Sequence, residues 1–296
     1  MSIRFGVSPI AWANDDMPEL GGDTPLATIL REAAEIGFEG IELGGKFPRT
    51  AEALKAAVAP FGLEIVGGWY SGNLLVQDAD AEIAALADHL NLLKATGSTV
   101  FVFAETSNAV HSNKSAPLES TPRLRAGDWK SFGARMSAVA EYIASQGLRF
   151  AYHHHLGTVV ETQVDLDAFI AATSEHVGFT LDTGHAALGR VSALDLIERQ
   201  PRRIAHVHCK DVRRAVHDAA HASGKSFLDG VLAGMFTVPG DGDLDFGAVM
   251  KALKRIGYGG WIIVEAEQDP AIANPREYGE LGLATLKREA AAAGLI

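Results

Sequence analysis

Residues 178–211 read GFTLDTGHAALGRVSALDLIERQPRRIAHVHCKD. Two apolar runs of strand length, 178–181 and 204–208, flank an amphipathic stretch at 193–199. A strand, a helix and a second strand in so short a span form a crossover unit, and crossover units build parallel sheets. Both runs end in residues that carry chemistry: Asp182 and His185 after the first, His206 to Asp211 in and after the second.

The same alternation continues in both directions. Six more strand candidates lie at 4–8, 40–43, 64–67, 99–104, 149–153 and 261–265. Ala-rich helical stretches lie at 24–36, 51–59, 79–96, 129–146, 166–174 and 246–256, and one at 276–293 closes the chain. Their apolar residues recur at helical spacing, as in Ile83, Leu86, Leu90 and Leu93. Gly37, Gly62, Gly97, Gly147 and Gly257 stand where helix C-caps are expected. Eight strand–helix units predict an α/β fold, a (β/α)8 TIM barrel forming one domain over residues 1–296. A doubly wound open sheet is the alternative; no Gly-rich phosphate loop follows the first strand to favour it. Two long connections, at about 107–128 and 212–244, follow strands four and seven. Both fall on the face where such barrels build their active sites.

Hydrophobic residues make up 47% of the chain, enough for a large core, yet no apolar run is long enough to span a bilayer. The opening, MSIRFGVSPIAW, reads as the first strand of a cytosolic protein, not as a signal peptide. Cys209 is the only cysteine, so no disulfide forms within the chain, which fits a reducing compartment. The formal net charge is −11, and the richest basic spot, 210–214, is too small for a duplex footprint. This balance suits a small, neutral or weakly charged substrate and argues against nucleic acid.

Acids and histidines end four successive strands: Tyr152-His153-His154-His155 with Glu161 beyond, Asp182 with His185, His206 through Asp211, and Glu265 with Glu267. Side by side on one barrel rim, such carboxylates and imidazoles form an oxygen and nitrogen site for Mn²⁺, Co²⁺, Zn²⁺ or Mg²⁺. Without a cation, clustered buried carboxylates repel one another. Residues two apart on a strand share a side, so His206 falls behind His208, and His154 points away from His153 and His155, towards a helix. Cys209 alternates with His208 and reads as a small buried hydrophobe. On earlier strands Glu42, Trp69 and Glu105 lie near strand ends; the two acids suit hydroxyl groups, and the indole suits the apolar face of a ring. For each, ordinary packing or capping competes with this reading. The same holds for Lys210, whose alternative is an ion pair with Asp211, and for Arg213, whose alternative is a solvated basic run with Arg214.

LDTGH (181–185), HVHCKD (206–211), FTVPGDG (236–242), GWIIVEAEQDP (260–270) and YHHHLGTVVET (152–162) resemble the inosose dehydratase family, within the xylose isomerase-like barrel superfamily. FGVSPIAWANDDMPELGG (5–22) and GFEGIELGGKFP (37–48) are similar too, so the resemblance runs from about residue 3 to about 270. It implies one divalent metal held by ligands from strands five to eight, with Asp182, His208 and Glu265 matching three of them. The first ligand is Glu161, with His153 or His155 as its rival, because many relatives have Glu where this chain has His153. The implied reaction is dehydration of 2-keto-myo-inositol to 3D-trihydroxycyclohexane-1,2-dione in inositol catabolism, by enolisation and loss of the β-hydroxyl. Glu161 and Glu265 are base candidates; His185, Lys210, His155 and Glu267 are acid or substrate-binding candidates, joined by Arg213, Trp69 and Glu42. Mn²⁺ or Co²⁺ is the expected ion. Glutathione is associated with the family, but no residue marks a site for it, and its part is read as protecting the metal or Cys209. Barrels of this kind often pair, so a homo-oligomer is allowed for, although no stretch marks an interface.

A ketose 3-epimerase or isomerase of the same fold shares the metal and the enolisation and is the main alternative. An abasic-site endonuclease conflicts with the acidic charge. A non-catalytic sugar-binding module leaves the ligand set unexplained.

Overall fold

A computed structural model of the chain describes residues 2–296. Eight parallel strands close into a barrel: β1 (Arg4–Val7), β2 (Gly40–Leu43), β3 (Glu64–Gly72), β4 (Val100–Glu105), β5 (Arg149–His153), β6 (Gly178–Asp182), β7 (Ile204–Cys209) and β8 (Trp261–Val264). Each strand pairs with its successor, and β8 returns to β1 in the register Arg4↔Trp261 through Val7↔Val264. The helices are α1 (Leu26–Ile36), α2 (Ala51–Val58), α3 (Ala79–Ala85), α4 (Ala87–Thr96), α5 (Trp129–Ser145), α6 (Gln163–Ala172), α7 (Thr183–Leu188), α8 (Ala193–Arg199), α9 (Arg214–Ala222), α10 (Phe227–Leu232), α11 (Phe246–Arg255) and α12 (Pro275–Ala292). The closed α/β barrel expected from the alternation is the one observed. Among the described residues, no helix is long and apolar enough to cross a membrane.

Alternation along the strands sorts side chains between the barrel interior and the helices. Towards the N-terminal ends of the strands the interior is apolar, with Val66, Val100, Ala151, Ala205, Trp261 and Ile263 packed together. The Trp261 indole fills space left by Gly6 and Gly40; a Cβ on Gly40 would meet its ring at 2.7 Å. Outward-facing Phe101, Phe103, Tyr152, Leu181 and Val207 join the larger core beneath the helices. Cys209 is buried in that core, facing away from His208 as its position in the strand requires. The plug leaves the C-terminal mouth as the place where polar side chains converge.

Four elements depart from expectation. β3 runs to Gly72, past 67, because Trp69–Gly72 pair with Val102–Glu105. Close packing demands the glycine inside it: a Cβ on Gly68 would lie 2.9 Å from Leu43. The helical stretch at 79–96 divides at Leu86, whose side chain is fully buried. A short helix, α7, follows β6 directly because Asp182 caps it. The connection after β7 carries α9, α10 and an antiparallel ribbon of Asp211–Val212 with Phe236–Thr237. Asp211 organises it: Oδ1 accepts the N–H groups of Val212 and Leu244, and Oδ2 those of Gly240 and Gly242.

Candidate active site

Asp182 Oδ1 accepts the N–H groups of Gly184 and His185, each at 2.8 Å, as the cap of α7. Its Oδ2 is buried and accepts no hydrogen bond among the described residues. This oxygen lies 3.5 Å from His153 Nε2, 3.6 Å from His208 Nδ1 and 3.7 Å from Lys210 Nζ. His208 Nδ1 is 2.8 Å from Glu265 Oε2, without the alignment of a hydrogen bond. The other nitrogen, Nε2, is 2.9 Å from Glu42 Oε1, and the same oxygen is 2.9 Å from His206 Nε2. His153 Nδ1 is 2.8 Å from the carbonyl of His154, so Nδ1 carries the hydrogen and Nε2 presents a lone pair.

Buried acceptors that face one another are costly unless a cation or a proton lies between them. Asp182, His208 and His153 bring an oxygen and imidazole nitrogens together, with Glu265 Oε2 beside His208, a donor set that fits a divalent ion such as Mn²⁺, Co²⁺ or Zn²⁺. Ligand atoms of His153, Asp182 and His208 all lie within 4.8 Å of one another. Glu42 stands behind His208, where a carboxylate orients a ligating imidazole and sets its tautomer. Burial opposes a charged His208, but Glu42 and Glu265 outweigh it and hold its pKa well above the ordinary value. Ion and proton therefore compete for the same ring.

Lys210 is fully buried beside this cluster. Its Nζ lies 2.6 Å from Glu265 Oε1, 2.6 Å from Glu267 Oε1 and 3.0 Å from His185 Nε2. Burial alone would strip its charge, but Asp182, Glu265 and Glu267 hold its pKa above the ordinary value. Burial pushes the Glu267 carboxyl up to about 7, against the pull of Lys210. His185 Nδ1 lies 3.3 Å from the Leu156 backbone nitrogen, and its Nε2 lies 3.4 Å from Glu267 Oε1. Its ring packs on His155 at a centroid distance of 3.7 Å. A cavity of about 270 Å³ opens above, lined by Trp69, His153, His155, His208, Glu265 and Glu267. Trp69 stands edge-on to His153 and His155, 36% exposed.

Glu161 corrects the expectation of a ligand or base. The loop folds back at Gly157 (φ 76°), but the carboxylate is spent on that turn. Oε2 accepts the Gly157 N–H at 2.7 Å and the Thr121 hydroxyl at 2.9 Å, and Oε1 pairs with Arg123 at 3.0 Å. His153, its rival, occupies the place facing Asp182. Arg213 is likewise turned away from the cavity: it donates to the Gly234 carbonyl and to Thr237 and pairs with Asp241, bracing the loop after β7. Glu105 staples two strand ends, accepting from Leu74 N–H and from Ser107. Lys210 pairs with Glu265 and Glu267, whereas Asp211 is occupied by backbone N–H groups. Asp16 and His111, which the sequence reading did not single out, also line the cavity. They lie in the loops after β1 and β4, where no local pattern distinguishes them from surface residues.

The model of the xylose isomerase-like TIM barrel family matches residues 30–289. The rhizopine catabolism protein MocC of Rhizobium meliloti is 46% identical over 294 residues, covering 99% of this chain and 90% of its own. The inosose dehydratase of Clostridium perfringens is 37% identical over 279 residues, 94% of each chain, and that of Erwinia tasmaniensis is 40% identical over 279 residues, 93% of this chain and 94% of its own. A solved L-ribulose 3-epimerase superposes with a TM-score of 0.69 at 17% identity, covering 99% of this chain and 96% of that one, a likeness of fold. With its closed barrel and with relatives of this identity along nearly its whole length, the chain belongs to the xylose isomerase-like TIM barrel family and groups there with the inosose dehydratases and MocC.

Proposed function

We propose that this chain is a metal-dependent hydro-lyase that removes water from 2-keto-myo-inositol to give 3D-trihydroxycyclohexane-1,2-dione. The observation that carries this reading is Lys210, buried between Glu265 and Glu267 at 2.6 Å from each, beside the cluster of His153, Asp182 and His208. Asp182, His208, Glu265 and His153 are assigned as the holders of one divalent ion, Mn²⁺ or Co²⁺. When bound, such an ion supplies electrophilic stabilisation to a carbonyl oxygen on which negative charge develops.

The chain's own residues then divide the proton work. Glu265 accepts the proton from the carbon next to the carbonyl. Glu267, whose burial favours its neutral form, delivers a proton to the hydroxyl on the next carbon, which leaves as water. The C–H and C–O bonds break and a C=C bond forms, so the enol of the dione results with no change of oxidation state overall. Glu265 ends protonated and Glu267 ionised. Lys210 lies within hydrogen-bond reach of both, stabilises whichever is charged, and offers a path by which the pair resets. His185 stands beside both Lys210 and Glu267 and positions them. Trp69 and His155 form the wall against which a ring packs. The cavity, about 270 Å³, is near the small end of the roughly 300–1,000 Å³ of small-molecule sites, as suits one six-membered polyol ring.

The test is turnover of 2-keto-myo-inositol with Mn²⁺ or Co²⁺, followed by dione absorbance, for wild type and Lys210→Met. Dione formed by the wild type and lost at least about 100-fold in the variant is expected, since positioned acid–base groups contribute roughly 10²–10⁴-fold. Exchange of the carbon-bound proton with solvent and no dione would indicate an epimerase and overturn the dehydratase assignment.

A further inference from the structure

His111 is 93% buried by its 7% exposure, lines the cavity, and its Nδ1 meets no hydrogen-bond partner among the described residues. A buried ring nitrogen left without a partner costs free energy unless a ligand supplies one. The ring is held firmly. Its edge contacts are Trp69, His155 and Phe227, at centroid distances of 6.3, 4.9 and 6.4 Å. The backbone before it is tied down by the Val110 N–H, which donates to the Gly157 carbonyl at 2.8 Å. Burial, opposed by the Asp16 charge, lowers the His111 pKa, and a neutral imidazole has one nitrogen that accepts a hydrogen bond.

Asp16, half-buried, lines the same cavity from the loop after β1. Its backbone is set by Asn14, whose Oδ1 accepts the N–H groups of Asp16 and Met17 at 2.8 and 2.9 Å. The neighbouring Asp15 clasps the Gly45 N–H at 2.9 Å and ties this loop to the one after β2. A carboxylate accepts hydrogen bonds from hydroxyls, and a neutral imidazole both accepts and donates. Neither group has a place in the proton transfers assigned to Glu265 and Glu267.

We propose that Asp16 and His111 are specificity-determining residues, which together bind ring hydroxyls on the part of the substrate that does not react and so select a fully hydroxylated cyclic ketone over a deoxy one. This rests on the dehydratase reading of the same site. Buried polar groups built to meet a hydroxyl discriminate strongly against an analogue that lacks it, because they are then left unpaired.

The experiment compares kcat/KM for 2-keto-myo-inositol and for its monodeoxy analogues at the non-reacting carbons, in wild type, Asp16→Asn and His111→Phe. The phenylalanine keeps the packing on Trp69 and Phe227 and removes the nitrogens; thermal unfolding checks that each variant is folded. Wild type should reject at least one analogue by about 100-fold or more, and each variant should shrink that one ratio by about tenfold or more, chiefly through KM. Ratios for the other analogues should hold. Variants that lose all substrates equally, or none, overturn the assignment. Should wild type bind the ketones without dehydrating them, calorimetric affinities give the same ratios, and the reaction fails while the binding assignment is still decided. Wild type that binds none of them overturns both.

Discussion

Asp182 and Glu161 are both carboxylates near strand ends, yet their surroundings separate them. Asp182 keeps one oxygen buried and without a hydrogen bond, facing His153 and His208. Glu161 has both oxygens engaged by Gly157, Thr121 and Arg123. Metal analysis after dialysis should therefore tell them apart. Asp182→Asn should lose bound ion by more than the roughly 10–100-fold that losing an outer partner costs. Glu161→Gln should retain it. Equal metal content in both variants would remove Asp182 from the ligand set. Asp182, His208 and Glu265 were legible because each ends a strand, and a strand end points its chemistry at the barrel mouth. Glu161 was misread because the partners that claim it lie about 40 residues upstream, at Thr121 and Arg123, where sequence distance conceals contact.

At the scale of elements, the loops after β4 and β5 act as one unit. Gly157 sits at φ 76°, and a Cβ there would come within 2.9 Å of the His111 backbone nitrogen. Both the left-handed conformation and the close approach require glycine. Gly157→Ala should destabilise the fold by about 1–2 kcal/mol from the backbone conformation alone, as read by urea denaturation. It should also raise KM, because His111 is displaced and the turn that Glu161 caps is disturbed. Unchanged stability and KM would mean that the two loops are not mechanically joined. The strands and most helices were readable from period and glycine punctuation. The connection after β7 was not: α9 and α10 carry mixed polar residues, and the loop is held by Asp211, whose four backbone partners reach as far as Leu244. An acid that caps a distant loop looks, in a sequence, like any other acid after a strand.

For the whole molecule, the barrel brings Asp182, His208 and Glu265 together from three strands, so an ion bound there links β6, β7 and β8. Binding to the folded state alone stabilises it by about 2.7 kcal/mol at a free ion concentration one hundred times Kd. For a chain of 296 residues that corresponds to a rise of about 4 °C in Tm. Scanning calorimetry with Mn²⁺ or Co²⁺ should show this rise in wild type and not in Asp182→Asn. A rise of equal size in both would place the ion elsewhere.

Period, glycine spacing and strand-end chemistry are local properties, and they sufficed for the closed α/β barrel and for placing Asp182, His208 and Glu265 at its mouth. Packing decided their neighbours: Arg123 and Thr121 claim Glu161, and His153 is left facing Asp182. The same packing buries Lys210 between two glutamates and sets Asp16 and His111 against one cavity. Such neighbours come from segments far apart in the chain, and only closure of the barrel brings their charges within reach of one another.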